Sequence, residues 1–157
     1  LIFTRQNLPV LTGEGLDGGV EAIFTGTARG GYVVADGEGE PEVILLASGS
    51  EVHIAHAAYK TLMAENVRAR LVSLPCWERF EEQSQAYRDA VLPPHIRARV
   101  SIEAGVTLAW YRYVGADGIA IGVDKFGASA PYQRIYAEYG LTAEAVVSAA
   151  RSVVTRG

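Results

Sequence analysis

Residues 43 to 52 read V-I-L-L-A-S-G-S-E-V, and no other stretch restricts the fold as tightly. Five consecutive apolar residues, Val43 to Ala47, are too few for a helix that buries one stripe. They suit a central strand covered on both faces. Ser48-Gly49-Ser50 then turns the chain, and Glu51 stands three residues after Ser48. That is the spacing of a capping box, in which a hydroxyl accepts from an orphan amide and a carboxylate reaches back. Such a cap stabilises a helix by roughly 1 kcal/mol. Beyond it Val52, Ala55, Ala58, Tyr59, Leu62 and Met63 recur at helical spacing, and Asn66 provides a left-handed stop. Strand, tight turn and capped helix form half of a βαβ unit, and the rest of the chain must supply its neighbours.

Upstream, Leu1-Ile2-Phe3 reads as the end of a buried strand entering a polar loop, with Pro9 preventing regular continuation. Arg5 follows that strand. On spacing alone a solvated arginine is the simpler reading, and reception of an anionic ligand is the functional one. From Pro9 to Gly31 the glycine-rich composition is that of a linker or wrapping loop, anchored locally by Val20, Ala22, Ile23 and Phe24. Gly31 to Ala35 is a strand, and only Asp36 to Glu42 separate it from the central one. No crossover helix fits there, so the two strands are expected to pair antiparallel.

Downstream of the capped helix, Arg70 to Leu74 is a strand reached by a crossover and therefore parallel, ended by Pro75. Cys76 to Pro94 carries Trp77, Phe80, Tyr87, Val91 and Leu92 among many charges, consistent with short helices lying on the sheet. Arg99 to Ala104 is the next strand. Its Glu103 lies near the carboxyl end, where α/β domains place ligands, although a loop-holding role is the commoner one for such a carboxylate. Thr107 to Val114 reads as a short helix closed by Gly115, and Gly118 to Val123 as the fifth strand. A loop from Asp124 leads to Pro131, well suited to the first turn of a helix that Gly140 ends. Thr142 caps the last helix, whose apolar face is Val146, Val147, Ala150 and Val154.

The expected fold is a three-layer α/β/α domain with a five-stranded mixed sheet, its first strand antiparallel. An apolar fraction of 49% over 157 residues supports one folded globular domain. A net charge of −4 without a basic patch argues against a nucleic-acid partner. No apolar run reaches membrane-spanning length. The single cysteine, Cys76, excludes an internal disulfide and fits a reducing compartment. As no base is spaced to activate it, it reads as a small core residue. His53, His56 and His95 lack metal-ligand spacing and read as surface residues. No Gly-rich phosphate loop, Ser-His-Asp order or paired-carboxylate motif is present. The chain begins at Leu1 and its only methionine is Met63, which reads as a piece of a longer protein.

Architecture alone names no reaction, but the motifs resemble one family closely. T-R-Q-N-L-P at residues 4 to 9, A-R-G-G-Y-V at 28 to 33, A-S-G-S-E-V at 47 to 52 and R-A-R-L-V-S-L-P at 68 to 75 come first. A-Y-R-D-A-V-L-P at 86 to 93, V-S-I-E-A-G at 100 to 105 and G-V-D-K-F-G-A-S-A-P at 122 to 131 follow. In kind and order these are similar to transketolase, over nearly the whole chain. The resemblance implies the C-terminal third of such an enzyme, with residues 1–30 ending the pyrimidine-binding domain and linking it to a C-terminal domain over 31–157.

It further implies a cytoplasmic, homodimeric enzyme of the pentose phosphate pathway that moves a two-carbon ketol group from a ketose phosphate to an aldose phosphate. Thiamine diphosphate and Mg2+ (or Ca2+) would serve it, held by upstream domains. In the family the diphosphate motif begins G-D-G and ends at an asparagine; this chain has G-A-D-G at 115 to 118 and no asparagine after Asn66. Only Arg5 matches a residue the family uses on substrate, as a phosphate-binding arginine. A separate binding or regulatory module that kept the fold is the other reading. Its ligand would sit near Ser48, Gly49, Ser50 and Glu103, where a helix start presents free amides.

Overall fold

The computed structural model describes residues 6–11 and 19–156. Leu1 to Phe3 and Arg5 lie outside the described residues. The apolar run forms β2 (Val43–Ala47), buried at every position. A strand sealed on both faces needs partners on both edges, and β2 has them. It pairs in parallel with β3 (Ala69–Ser73) on one side and with β4 (Arg99–Ile102) on the other. β5 (Ile119–Ile121) runs parallel beyond β4, and β1 (Tyr32–Asp36) is antiparallel at the opposite edge, in the order β1-β3-β2-β4-β5.

The antiparallel sense of β1 is as expected, but its partner is not. β1 pairs with β3, Tyr32 opposite Ser73 and Asp36 opposite Arg70, and not with β2. Only residues 37–42 join β1 to β2, yet two strand spacings amount to about 10 Å and extended chain covers about 3.3 Å per residue. The connection passes over the end of β3 with length to spare. β1 is only partly buried, which suits an edge, whereas the slots beside β2 go to strands that can be covered on both faces. Arg70 fastens the edge: its guanidinium donates to Asp36 Oδ2 at 3.0 and 2.5 Å and to the Ala90 carbonyl at 2.8 Å.

Alternate residues of β2 face different layers. Val43, Leu45 and Ala47 pack with Leu71, Val100 and Ile102 under two helices, α2 (Val52–Ala64) and α7 (Ala143–Val154). Ile44 and Leu46 face the other way, onto Phe80 of α3 (Trp77–Glu81), Val91 of α4 (Gln85–Val91) and Tyr113 and Val114 of α5 (Tyr111–Val114), with Trp110 between. The three-layer α/β/α arrangement follows from that alternation. Asn66 takes the left-handed conformation after α2, as expected, and the Thr142 hydroxyl accepts from Ala145 N at 3.2 Å at the start of α7.

Three further expectations are corrected. The glycine-rich segment read as a linker contains α1 (Gly19–Ala28), which packs beside β1 through the close approach of Gly26 to Tyr32. His56 is buried within α2, its ring stacked on Tyr59. Cys76 is half-buried at the start of α3, its thiol 3.6 Å from Glu78 Oε2, and is not a core residue. Among the described residues no helix is long and apolar enough to cross a membrane.

Candidate functional site

β2 and β4 lie side by side, but the chain leaves them in opposite directions. β2 runs into α2 on one face, while β4 runs through a short turn of 3-10 helix (Leu108–Trp110) into α5 on the other. Their carboxyl ends therefore open the crevice in which doubly wound proteins bind ligands. It contains the two motifs A-S-G-S-E-V and V-S-I-E-A-G.

The crevice is filled from within by Glu51. This side chain is only 3% exposed, and neutral donors satisfy it. Oε1 accepts from Ser50 Oγ at 2.6 Å and from the Tyr136 hydroxyl at 2.7 Å, and Oε2 accepts from the backbone N–H of Ala104 at 3.1 Å. A buried carboxylate is tolerable only when donors replace its lost hydration. These come from three places: the turn after β2, the turn after β4 and α6 (Tyr132–Tyr139). Glu51 thus laces the switch-point crevice shut.

This corrects the capping-box reading. Ser48 starts a short turn of 3-10 helix (Gly49–Glu51) and its hydroxyl makes no cap bond. Glu51 does not reach back to its own helix; tertiary partners take its carboxylate. A negative group in the first turn still complements the helix dipole, and it disfavours an anionic ligand at that helix start.

The Tyr136 hydroxyl has a second partner. While donating to Glu51 it accepts from Gln6 Nε2 at 3.1 Å. Burial, reinforced by the bond to Glu51, pushes the Tyr136 phenol above its ordinary value, so it remains a donor at neutral pH. Gln6, Asn7, Ala130 and Tyr132 line an adjoining cleft. Gln6 and Asn7 therefore lie at the carboxyl end of the sheet.

The remaining acids are also engaged. Glu103 Oε2 accepts from Trp110 Nε1 at 2.7 Å, the loop-holding role, since it fixes the turn that follows its own strand. Asp124 accepts from Thr107 N at 2.9 Å and from Thr107 Oγ1 at 2.7 Å. Those bonds, the backbone one first, hold its carboxyl below the usual range. The following loop is open, with Phe126 99% exposed. His53 Nδ1 lies against the Ser50 carbonyl, and His95 Nε2 pairs with Glu40 Oε1 at 2.6 Å near the far end of the sheet. Among the described residues no group of three or more His, Cys, Asp or Glu could hold a metal ion. The described residues do not fit a cation-linked diphosphate.

Gln6, Tyr136 and the tertiary role of Glu51 were not legible as a unit in the sequence, because 130 residues separate Gln6 from Tyr136. The available signal was that two motifs of the resemblance, A-S-G-S-E-V and V-S-I-E-A-G, each carry a glutamate just after a strand. Arg5, the one residue expected to touch substrate, immediately precedes Gln6 and lies outside the described residues.

Comparison with known proteins fits this geometry. The family model described as the transketolase-like TK C-terminal domain matches residues 30–142. Transketolase 7 of Craterostigma plantagineum is 46% identical over 157 residues, which is 98% of this chain and 22% of that protein. Among solved structures, the transketolase of Leishmania mexicana has 40% identity and a TM-score of 0.78, over 84% of this chain and 19% of that one. A Pichia stipitis transketolase variant in complex with fructose 6-phosphate has 33% identity and a TM-score of 0.80, over 97% of this chain and 21% of that one. The chain thus spans about a fifth of the length of the curated relative. On fold, motifs and family match together, it belongs to the transketolase-like C-terminal domain family.

Proposed function

We propose that the chain is the C-terminal part of a transketolase, an enzyme that moves a two-carbon ketol group from a ketose phosphate to an aldose phosphate. The observation that carries this reading is the filled crevice. At the position where a free-standing α/β module would bind a ligand, Glu51 is bonded to Ser50, Tyr136 and Ala104. Glu103 and Asp124 are likewise occupied. A domain built this way contributes support and assembly, not reacting groups. Thiamine diphosphate and a divalent cation would be bound by upstream domains in a cytoplasmic homodimer, with this domain starting near residue 31. The family match beginning at residue 30 supports that boundary.

Arg5 is the group proposed to meet substrate. A guanidinium offers a sugar phosphate two parallel donors, and a charge-assisted bond contributes about 1.5–3 kcal/mol. At 1.4 kcal/mol per factor of ten, Arg5→Ala in the full-length enzyme weakens phosphorylated substrates by roughly ten- to hundredfold. The phosphate is remote from the reacting carbon, so the loss falls mainly on KM. Small unphosphorylated donors are nearly untouched. Equal losses on both substrate classes would refute the phosphate role. For the domain itself the test is calorimetric titration of the 157-residue chain with thiamine diphosphate and magnesium. No saturable binding is expected; micromolar binding by this chain alone defeats the proposal.

A further inference from the structure

We infer that a cleft at the amino ends of β4 and β5 is a binding site for a phosphate group, either the free ion or a small monoester. It lies at the opposite end of the sheet from the crevice, and is independent of the reading of the chain as part of a transketolase. Arg97, Arg99, Arg112 and Asp117 line it, with Leu92 and Val114 among its apolar walls, and its volume is about 300 Å³. That is the lower end of the range for small-molecule sites, enough for a phosphate and a few carbon atoms. Three guanidiniums face one carboxylate there, in a chain whose net charge is −4.

Arg99 is the fixed wall. It opens β4, and the turn before that strand and the end of α5 fold their carbonyls around it. Nε donates to the Ile96 carbonyl at 2.9 Å, Nη1 to that of Tyr113 at 2.8 Å, and Nη2 to that of Pro93 at 2.8 Å. These partners are dipoles, and among the described residues no carboxylate is paired with this guanidinium. Burial lowers the Arg99 pKa below the ordinary arginine value, with no anion to offset the lost hydration. A cation that has given up water without gaining a counter-charge is stabilised by an anion brought alongside.

Arg97 and Arg112 are the groups free to grip that anion. Both side chains are largely exposed, and each rests on a carboxylate that it can leave. Arg97 pairs with Asp117, and Arg112 Nη2 lies 2.9 Å from Glu81 Oε2. Glu81 is shared, because Arg88 approaches the same oxygen at 3.9 Å and the Tyr113 hydroxyl donates to Oε1 at 3.0 Å. Exposed ion pairs of this kind contribute little. A phosphate dianion offers three acceptor oxygens and a second charge, and guanidiniums bind it through paired donors. A lone carboxylate has neither, so phosphate is the better match to the surplus of cations.

The test is an NMR titration of the backbone amides of the 157-residue chain with inorganic phosphate, at constant ionic strength held by sodium chloride. Saturable shifts confined to residues 92–99 and 112–117 are expected, with a Kd on the order of 1 mM or tighter. Arg97→Gln and Arg112→Gln should each weaken binding by roughly tenfold, the worth of one charge-assisted hydrogen bond. Both positions are exposed, so the variants keep the fold, which the same spectra verify. Arg151→Gln removes a comparably exposed arginine on α7, paired with Glu65, and should leave the affinity unchanged. Glycerol 3-phosphate distinguishes the source of the phosphate: tighter binding than the inorganic ion assigns a monoester, and equal or weaker binding assigns the free ion. Either result supports the site. Shifts that scatter over the surface, or that do not saturate by about 50 mM phosphate, would overturn it. So would full affinity in both Arg97→Gln and Arg112→Gln. An Arg151→Gln loss as large as theirs would overturn it too, since that is general screening and not a site.

Discussion

Glu51→Ala is the substitution with the largest consequence that the structure allows to be worked out. The side chain is 3% exposed and accepts three hydrogen bonds, from Ser50 Oγ, the Tyr136 hydroxyl and Ala104 N. Hydrogen bonds to a charged group contribute about 1.5–3 kcal/mol each, and burial of the carboxylate offsets several kcal/mol of that. Alanine ends both terms. It also leaves the Ala104 N–H and the Tyr136 hydroxyl to find water, at about 1–3 kcal/mol per donor where water does not reach. The Ser50 hydroxyl turns to solvent at little penalty. The net expectation is a loss of about 3 kcal/mol. For a chain of 157 residues, each kcal/mol corresponds to roughly 2–4 °C, so Tm falls by about 9 °C.

Glu51→Gln discriminates the cause. Its amide oxygen can still accept from Ala104, and its amide nitrogen can donate to the Tyr136 oxygen. Most of the lacing survives, and the loss should be near 1 kcal/mol. Urea unfolding of the 157-residue chain and of both variants measures the difference, with unchanged m-values as the check that the folded and unfolded states are comparable. A Glu51→Ala loss below about 1 kcal/mol would refute the reasoning, since it would mean that desolvation cancels the bonds. Equal losses in the two variants would refute it in another way, by locating the effect in packing and not in hydrogen bonding.

Gly30 has φ +85°, and a Cβ there would lie 2.3 Å from the Cys76 carbonyl oxygen and 2.5 Å from Phe80 N; Gly30→Ala is expected to destabilise by roughly 3 kcal/mol or more in the same urea assay. The Thr142 hydroxyl accepts from Ala145 N at 3.2 Å, so Thr142→Ala should lower stability by about 1 kcal/mol, and Thr142→Ser should restore most of it. Asp124 is held below its ordinary pKa by Thr107. Its contribution is therefore present above the unfolded value of about 4 and is lost as pH falls through the folded value. Asp124→Asn should accordingly flatten the acid side of the stability curve below about pH 4, as read by thermal unfolding on either side of that value.

The central unit was legible because a single physical demand acts on it. A run of five apolar residues, Val43 to Ala47, cannot be solvated on either face, so it must be a central strand, and the helix and parallel crossover follow from connectivity. The position of β1 was not legible. Its short connection to β2 correctly excludes a crossover helix, but adjacency does not follow, because residues 37–42 reach past β3 as easily as they would turn a hairpin. What decides between the two is competition for the edges of β2. β3 wins its edge because Leu71 and Val72 pack into the two cores, and β4 because Val100 and Ile102 pack into one while Ser101 is buried on the other face; that is a property of the assembled layers.

The site was less legible than the fold, for a related reason. Local spacing made Ser48 and Glu51 a capping box, and a local bond of that kind gains roughly 1 kcal/mol. The tertiary alternative offers Glu51 two donors from outside its own turn, Ala104 N and the Tyr136 hydroxyl, in a place that water scarcely reaches. There a carboxylate without partners would be far more unfavourable than a missing cap, so the tertiary arrangement wins and Ser48 goes without its bond. A crevice whose own carboxylate is saturated by neutral donors has no open charge for a ligand to satisfy.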